Sequence, residues 1–341
     1  MGWIAISDPM GRTHTARLPG VRLLDRGSLL LEVVLDPDVS GPITLLQYRD
    51  VQDRSRAICL TLDPSTGLRL LQQQGARETC LTQACALESE AKTLRILYAW
   101  NAPDRCCRLS IECVETGTLV QANGRDPLPM PMSDIAALFS PAPYRHKDAA
   151  VLWYGVTTGV VPLGLDASLS ASTILHGPSG PVRADRVEPG DLVMTVDHGA
   201  QPVRWCRRFS LPAMGSFAPV RLRAPYYSAP RDLVVSQTAR IVLLGSEVEY
   251  LFGEDEVLVQ ARHLVNNRTA LFETRRSVID HVSLMFDRHE LLDAGGCSVE
   301  SLYRGRGTIA VHNHSARREL HDYEMITLMG MRDAARNPVA A

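Results

Sequence analysis

Over its first 115 residues the chain breaks into short apolar or alternating runs, at residues 3–7, 28–35, 42–48, 57–62, 68–71, 93–100 and 108–114. Turn formers such as Asp36-Pro37, Ser40-Gly41 and Asp63-Pro64 separate most of them. A period of two puts one face of each run in a core. Runs of this length between turn signals predict the strands of an antiparallel sandwich or barrel, not alternating β and α units. Between Asn123 and Ala142 four prolines flank one short helix, expected near residues 133–139 with Ser133 as its cap. This proline-rich stretch, continuing to Arg145-His146-Lys147, is expected to close the first domain. The uncharged stretch 149–165 is short for a membrane span and contains Gly155, Gly159, Pro162 and Gly164, so it reads as strand and turn. At the far end Leu320, Tyr323, Ile326 and Met329 recur at helical spacing within residues 315–337. They predict one amphipathic helix packed on the second domain, stopped by Pro338.

The length of 341 residues exceeds the usual size of one domain, and 45% hydrophobic with 22% charged residues is the composition of a globular chain. The expected all-β organisation is a β-sandwich over 1–150, a linker over 151–166, a second β-domain over 167–310 and a helix with tail over 311–341. A formal net charge of −2 provides no field to attract nucleic acid or an anionic membrane. None of the eight cysteines forms a C-x-x-C pair, so no zinc or thioredoxin-like site is expected, no cofactor is called for, and free thiols are the simplest reading. Residues 1–16 lack the charged start, apolar stretch and cleavage site of a secretory signal, and no segment reads as transmembrane. The cytoplasm or a non-classical export route is the expectation that follows.

Residues 94–101 followed by 108–112 read as a hairpin, and the pattern resembles a sandwich of the concanavalin or laminin-G type. Such a resemblance implies a glycan or surface ligand. Trp100, Asn101 and Asp104 could form a sugar-facing loop, although an aromatic closing a strand against the core is the preferred reading of Trp100.

The second half opens with Ser168-Leu169-Ser170-Ala171-Ser172-Thr173-Ile174-Leu175 and turns at Gly177-Pro178-Ser179-Gly180. It continues through Ala184-Asp185-Arg186-Val187-Glu188-Pro189-Gly190-Asp191-Leu192-Val193-Met194-Thr195. Further blocks follow in order: Asp197-His198-Gly199, Gln201-Pro202-Val203-Arg204-Trp205, Arg231-Asp232-Leu233-Val234-Val235-Ser236, Gly253-Glu254-Asp255-Glu256-Val257, His263-Leu264-Val265-Asn266 and Phe286-Asp287-Arg288-His289-Glu290. This succession resembles the Hedgehog/intein (Hint) self-processing domains of the bacterial, non-splicing type. The resemblance implies a horseshoe of paired strands with pseudo-twofold character. It also implies an acyl shift, in which a Cys or Ser side chain attacks the carbonyl of the preceding residue while a Thr-x-x-His motif handles the proton.

Carried onto this sequence, the resemblance places Ser168 at the nucleophile, Ser236 at the Thr position and Ala239 at the His position. A hydroxyl attacks less readily than a thiolate, and alanine moves no proton. Losing a positioned acid or base costs roughly a hundred- to ten-thousandfold in rate. The expectation is therefore a degenerate site with weak or lost autoprocessing. Active Ser-dependent cleavage at Ala167-Ser168 is the alternative and would need another histidine, with His176, His198, His263 and His289 as candidates. A third reading gives the function to glycan or surface binding by the first domain. Splicing is not expected, because Glu300-Ser301 stands where a splicing domain ends in His-Asn, and His312-Asn313 falls past that closing block.

Overall fold

A computed structural model describes residues 2–15, 20–36, 41–50, 52–84, 93–140, 145–164, 167–303 and 314–336. The chain divides into two units, Met1–Gly164 and Leu165–Ala341.

The first unit pairs a seven-stranded and a five-stranded antiparallel sheet. The larger runs Leu119–Arg125, Cys106–Cys113, Thr93–Asn101, Arg26–Val34, Val151–Thr157, Trp3–Ser7, Thr13–Thr15. The smaller runs Arg145–Lys147, Ile43–Arg49, Ala57–Asp63, Gly67–Gln74, Arg77–Gln83. Alternation in the sequence becomes burial. Ile58, Leu60 and Leu62 from the smaller sheet and Leu29, Leu31 and Val33 from the larger belong to one core. That is the expected sandwich. Trp100 is buried in it, its indole N–H donating to the Leu24 carbonyl at 3.1 Å, so it closes a strand and offers no platform to a sugar.

Three expectations are corrected in this unit. The linker expected over 151–166 contributes Val151–Thr157, which lies in mid-sheet between Trp3–Ser7 and Arg26–Val34. Nor does the chain leave the sandwich at its proline-rich stretch, since Arg145–Lys147 pairs with Ile43–Arg49 as an edge strand. The helix is present as Met132–Phe139, but no side chain caps it. Ser133 instead accepts a hydrogen bond from Arg56, because the turn enters the helix at Pro131, two residues earlier than a serine cap requires.

The second unit is built from two further large sheets and a small hairpin. One sheet has the order Trp205–Pro212, Val278–Met285, Leu169–Ser170, Leu233–Val235, Val220–Leu222, Ala270–Phe272. The other has the order Gly199–Pro202, Leu192–Thr195, Leu291–Asp293, Ser298–Glu300, Arg240–Leu244, Glu256–Gln260, Arg318–Glu319. The Pro189-Gly190-Asp191 turn owes its composition to its geometry. Gly190 has φ +97°, which only glycine adopts without strain, and its N–H donates to the Val203 carbonyl. The Asp191 carboxylate caps the turn by accepting from the Glu188 N–H at 2.8 Å.

The carboxy-terminal helix forms over Asp322–Arg336, and Leu320, Met325 and Leu328 enter the core of this unit. Tyr323 and Ile326, expected on the packed face, are exposed. The expected phase was counted from Leu320, which precedes the helix and is held by a backbone bond to Leu258.

Glu300 and Ser301 serve structure. The Glu300 carboxylate takes the Arg240 guanidinium at 2.9 Å and the Arg240 backbone N–H at 2.8 Å, and lies 3.3 Å from His289 Nε2. Ser301 Oγ accepts from the Glu290 N–H at 2.9 Å. Arg240 keeps Glu319 at 3.1 Å as a second carboxylate partner, so removing Glu300 breaks a buried network without stranding the guanidinium altogether, a cost at the lower end of that for a broken buried pair, about 3 kcal/mol. Glu300→Ala is therefore expected to lower the unfolding free energy by about 3 kcal/mol, read from urea denaturation of the full chain.

Candidate functional site

The site forms where the segment beginning at Ala167 inserts between two strands. Leu169 pairs with Val235 on one side and Val282 on the other, and Ser170 pairs with His281. Alternate residues of a strand share a face, so His281 and Ser283 point the same way from Val278–Met285. That face meets the Ala167-Ser168 peptide.

His281 Nδ1 lies 3.0 Å from Ser168 Oγ. Ser283 Oγ–H donates to the Ala167 carbonyl oxygen at 2.7 Å. On the other side, Ser236 Oγ accepts from the Ser168 N–H at 3.1 Å, and the Ser236 N–H donates to the Ser168 carbonyl at 2.9 Å. Both polar atoms of the 167–168 peptide are thus held by hydroxyl side chains. Ala167, Ser168, His281 and Ser283 are all at least nine-tenths buried.

Burial also sets the charge of His281. Desolvation lowers its pKa to about 4, opposed by the nearby Asp280 carboxylate, so the ring is neutral at physiological pH. Phe209 stacks on the imidazole with centroids 5.8 Å apart and planes within 10°, fixing its orientation. Nε2 is buried and has no hydrogen-bond partner among the described residues. With the proton on Nε2, Nδ1 is an acceptor for the Ser168 hydroxyl, the arrangement a general base requires.

Of the expected site residues, Ser168 and Ser236 come together as the family positions imply. Ala239 is fully buried in the hydrophobic core. The four candidate histidines sit elsewhere. His176 lies on the hairpin strand Ile174–Gly177, and His198 bonds Glu290 at 2.9 Å. His263 faces Arg262 and Asp322, and His289 stacks on Tyr303 beside Glu300. The residues that sequence reasoning missed are His281 and Ser283. Their signal was present: two polar residues two apart on one buried face of a strand whose exposed charge, Asp280, lies on the other face.

Residues 167–306 match the family model described as the Hint domain. Over 130 residues the chain is 28% identical to the ribosomal RNA large subunit methyltransferase H of Maricaulis maris (strain MCS10), covering 38% of this chain and 72% of that protein. Among solved structures, the MchDnaB-1 intein (N145AA) is similar at 14% identity and TM-score 0.27, with 39% of this chain and 98% of that one covered. The Ruminococcus gnavus IT-sialidase CBM40 is similar at 11% identity and TM-score 0.29, with 41% and 80% covered. Both structural likenesses are too distant to bear on function. The chain contains a Hint domain, spanning residues 167–306.

Proposed function

We propose that this domain cleaves its own backbone at Ala167-Ser168 by a Ser-dependent N-to-O acyl shift, with His281 in the role that Ala239 cannot fill. The observation that carries this reading is the 3.0 Å approach of His281 Nδ1 to Ser168 Oγ. The expected loss of activity rested on the alanine at 239, and an imidazole arriving from a different strand removes its premise.

Ser168 Oγ attacks the Ala167 carbonyl carbon as its proton passes to His281 Nδ1. Negative charge develops on the Ala167 oxygen, to which Ser283 already donates, so the stabilising dipole is in place before reaction. Collapse breaks the C–N bond, and the imidazolium returns its proton to the departing Ser168 nitrogen. Ser236 Oγ, 3.1 Å from that nitrogen, holds it in line. The product is an ester between the Ala167 acyl group and Ser168 Oγ, with a free Ser168 amine. Water resolves it, leaving a carboxylate at Ala167 and the hydroxyl restored at Ser168. The alternative of a silent domain kept for its fold is favoured by no contact at the site.

Mass spectrometry of purified protein is expected to find chains ending at Ala167 and beginning at Ser168, and hydroxylamine is expected to trap the ester as a hydroxamate. Ser168→Ala should abolish cleavage, and Ser168→Cys should accelerate it at pH 8. His281→Ala should slow it by about a hundred- to ten-thousandfold, and Ser283→Ala by about a hundredfold. An intact 37.5 kDa chain, refractory to hydroxylamine from pH 6 to 9, would sink the proposal.

A pH signature accompanies the mechanism. His281 acts as a base only when neutral, so the cleavage rate should rise with pH through about 4 and level off above it. Stability follows the same group. The unfolded chain takes up this proton near 6.5 and the folded chain only near 4. The unfolded state therefore binds more protons between those values, and the stabilisation, complete above 6.5, is lost as pH falls toward 4. The loss amounts to about 3 kcal/mol. Urea midpoints of Ser168→Ala at pH 7 and 4.5 measure it, and adding His281→Gln should flatten the difference.

A further inference from the structure

A second site lies wholly within the first unit, where Thr93–Asn101, Cys106–Cys113 and Leu119–Arg125 run side by side. Register aligns Asn101, Cys106 and Arg125 in one cross-strand row, and Ala99, Arg108 and Asn123 in the row two residues along. Rows two residues apart share a face, so these six side chains project together. With the adjoining turns and Val160 they line a groove of about 900 Å³, within the size range of small-ligand sites.

The charges in the groove are unevenly matched. Arg105 is paired with Asp126 at 2.5 Å, and the Asp104 carboxylate accepts from the Asn101 amide at 2.6 Å. Arg108 meets only a neutral partner, its Nε donating to Asn123 Oδ1 at 3.0 Å. The Arg125 side chain has no hydrogen bond or ion pair among the described residues, although its charge is felt by the Asp126 carboxylate, which is already paired with Arg105. Arg108 and Arg125 are diagonal neighbours on adjacent strands, a spacing of about 7 Å at which two like charges repel unless an anion lies between them. A carboxylate lying between these two strand positions is within reach of both long side chains and can accept N–H donors from each guanidinium. The Asn101 amide is turned onto Asp104, its Nδ2 donating to the carboxylate at 2.6 Å and its Oδ1 accepting from the Asp104 N–H at 3.2 Å, and Asn123 Oδ1 accepts from Arg108, so what each amide has left to offer a sugar hydroxyl is an N–H donor. Trp100, the one aromatic ring in the lining, is buried, so no exposed ring is available for the base stacking that single-stranded nucleic acid requires.

We propose that this groove binds a carboxylate-bearing saccharide, with Arg108 and Arg125 clamping the carboxylate and the Asn101 and Asn123 amides taking ring hydroxyls. Recognition is by charge and hydrogen bonding. The aromatic stacking that Trp100 would supply if exposed plays no part. Because every lining residue lies between 99 and 160, the site is the same whether or not the chain is cut at Ala167.

The test is binding of the full chain to an immobilised glycan panel holding uronic-acid and other carboxylated glycans, their carboxyl-reduced counterparts, and sulfated, phosphorylated and neutral glycans. Carboxylated members should be retained at least tenfold better than their reduced counterparts, and added salt should weaken retention. Arg108→Gln and Arg125→Gln should each reduce binding at least tenfold with Tm unchanged, while Arg204→Gln on the other unit leaves it intact. Equal retention of acid and reduced forms, capture of sulfated or phosphorylated members alone, failure to bind any member, or full binding by the double variant would each overturn the assignment. None of these outcomes depends on cleavage at Ser168, so the two proposals fail separately.

Discussion

The second unit depends on one buried peptide bond whose polar atoms need partners. A carbonyl and an N–H taken out of water cost several kcal/mol if left unpaired. At residues 167–168 the chain satisfies both through side-chain hydroxyls, Ser283 on the oxygen and Ser236 on the nitrogen, before the strand ladder begins at Leu169. A peptide held by ladder bonds is inert. One held by hydroxyls, with a third hydroxyl and an imidazole at its carbon, has its stabilising contacts arranged around the atoms that would react.

The rest of the domain can be understood as support for that arrangement. Ser168 is positioned because Leu169 is clasped between Val235 and Val282, and those two strands also carry or directly precede the partners of the peptide. The Arg240–Glu300 pair lies one residue beyond Ala239 and ties the position where a splicing domain would place its last catalytic residues to the strand that follows the 236–239 turn. Positions used for chemistry in splicing relatives are here occupied by residues that fasten the two central strands together.

Much of the fold was legible because alternation maps directly onto burial: Trp3–Ser7 and Ala57–Asp63 fall where the pattern placed them. Val151–Thr157 was read as strand and turn yet assigned to a linker, because nothing local distinguishes a central strand from a connecting one when its partners, Trp3–Ser7 and Arg26–Val34, lie more than a hundred residues away. Ser168 and Ser236 were legible through the family pattern. His281 was not, for a physical reason: a histidine inside an apolar strand usually marks a packed or surface ring, and only the register with Ser170 brings it to Ser168. The candidate histidines His176, His198, His263 and His289 lie in or beside turns and polar blocks, whereas the imidazole beside Ser168 comes from an interior face.

The same burial that positions His281 also limits its strength. A base with a pKa near 4 accepts a proton less readily than one near 7, so its neutrality is obtained at the expense of basicity. Burial away from water works against the imidazolium, and the neighbouring Asp280 carboxylate favours it. For an enzyme that must turn over repeatedly this balance would be unfavourable. Under the proposed reaction the domain cuts its own chain once per molecule, and a serine with a weak base that rests neutral suffices where the reaction has the lifetime of the protein in which to occur. The hydroxyl nucleophile and the low-pKa histidine are then two parts of one slow design, in which burial sets the weakness of the base and the aspartate beside the ring partly offsets it.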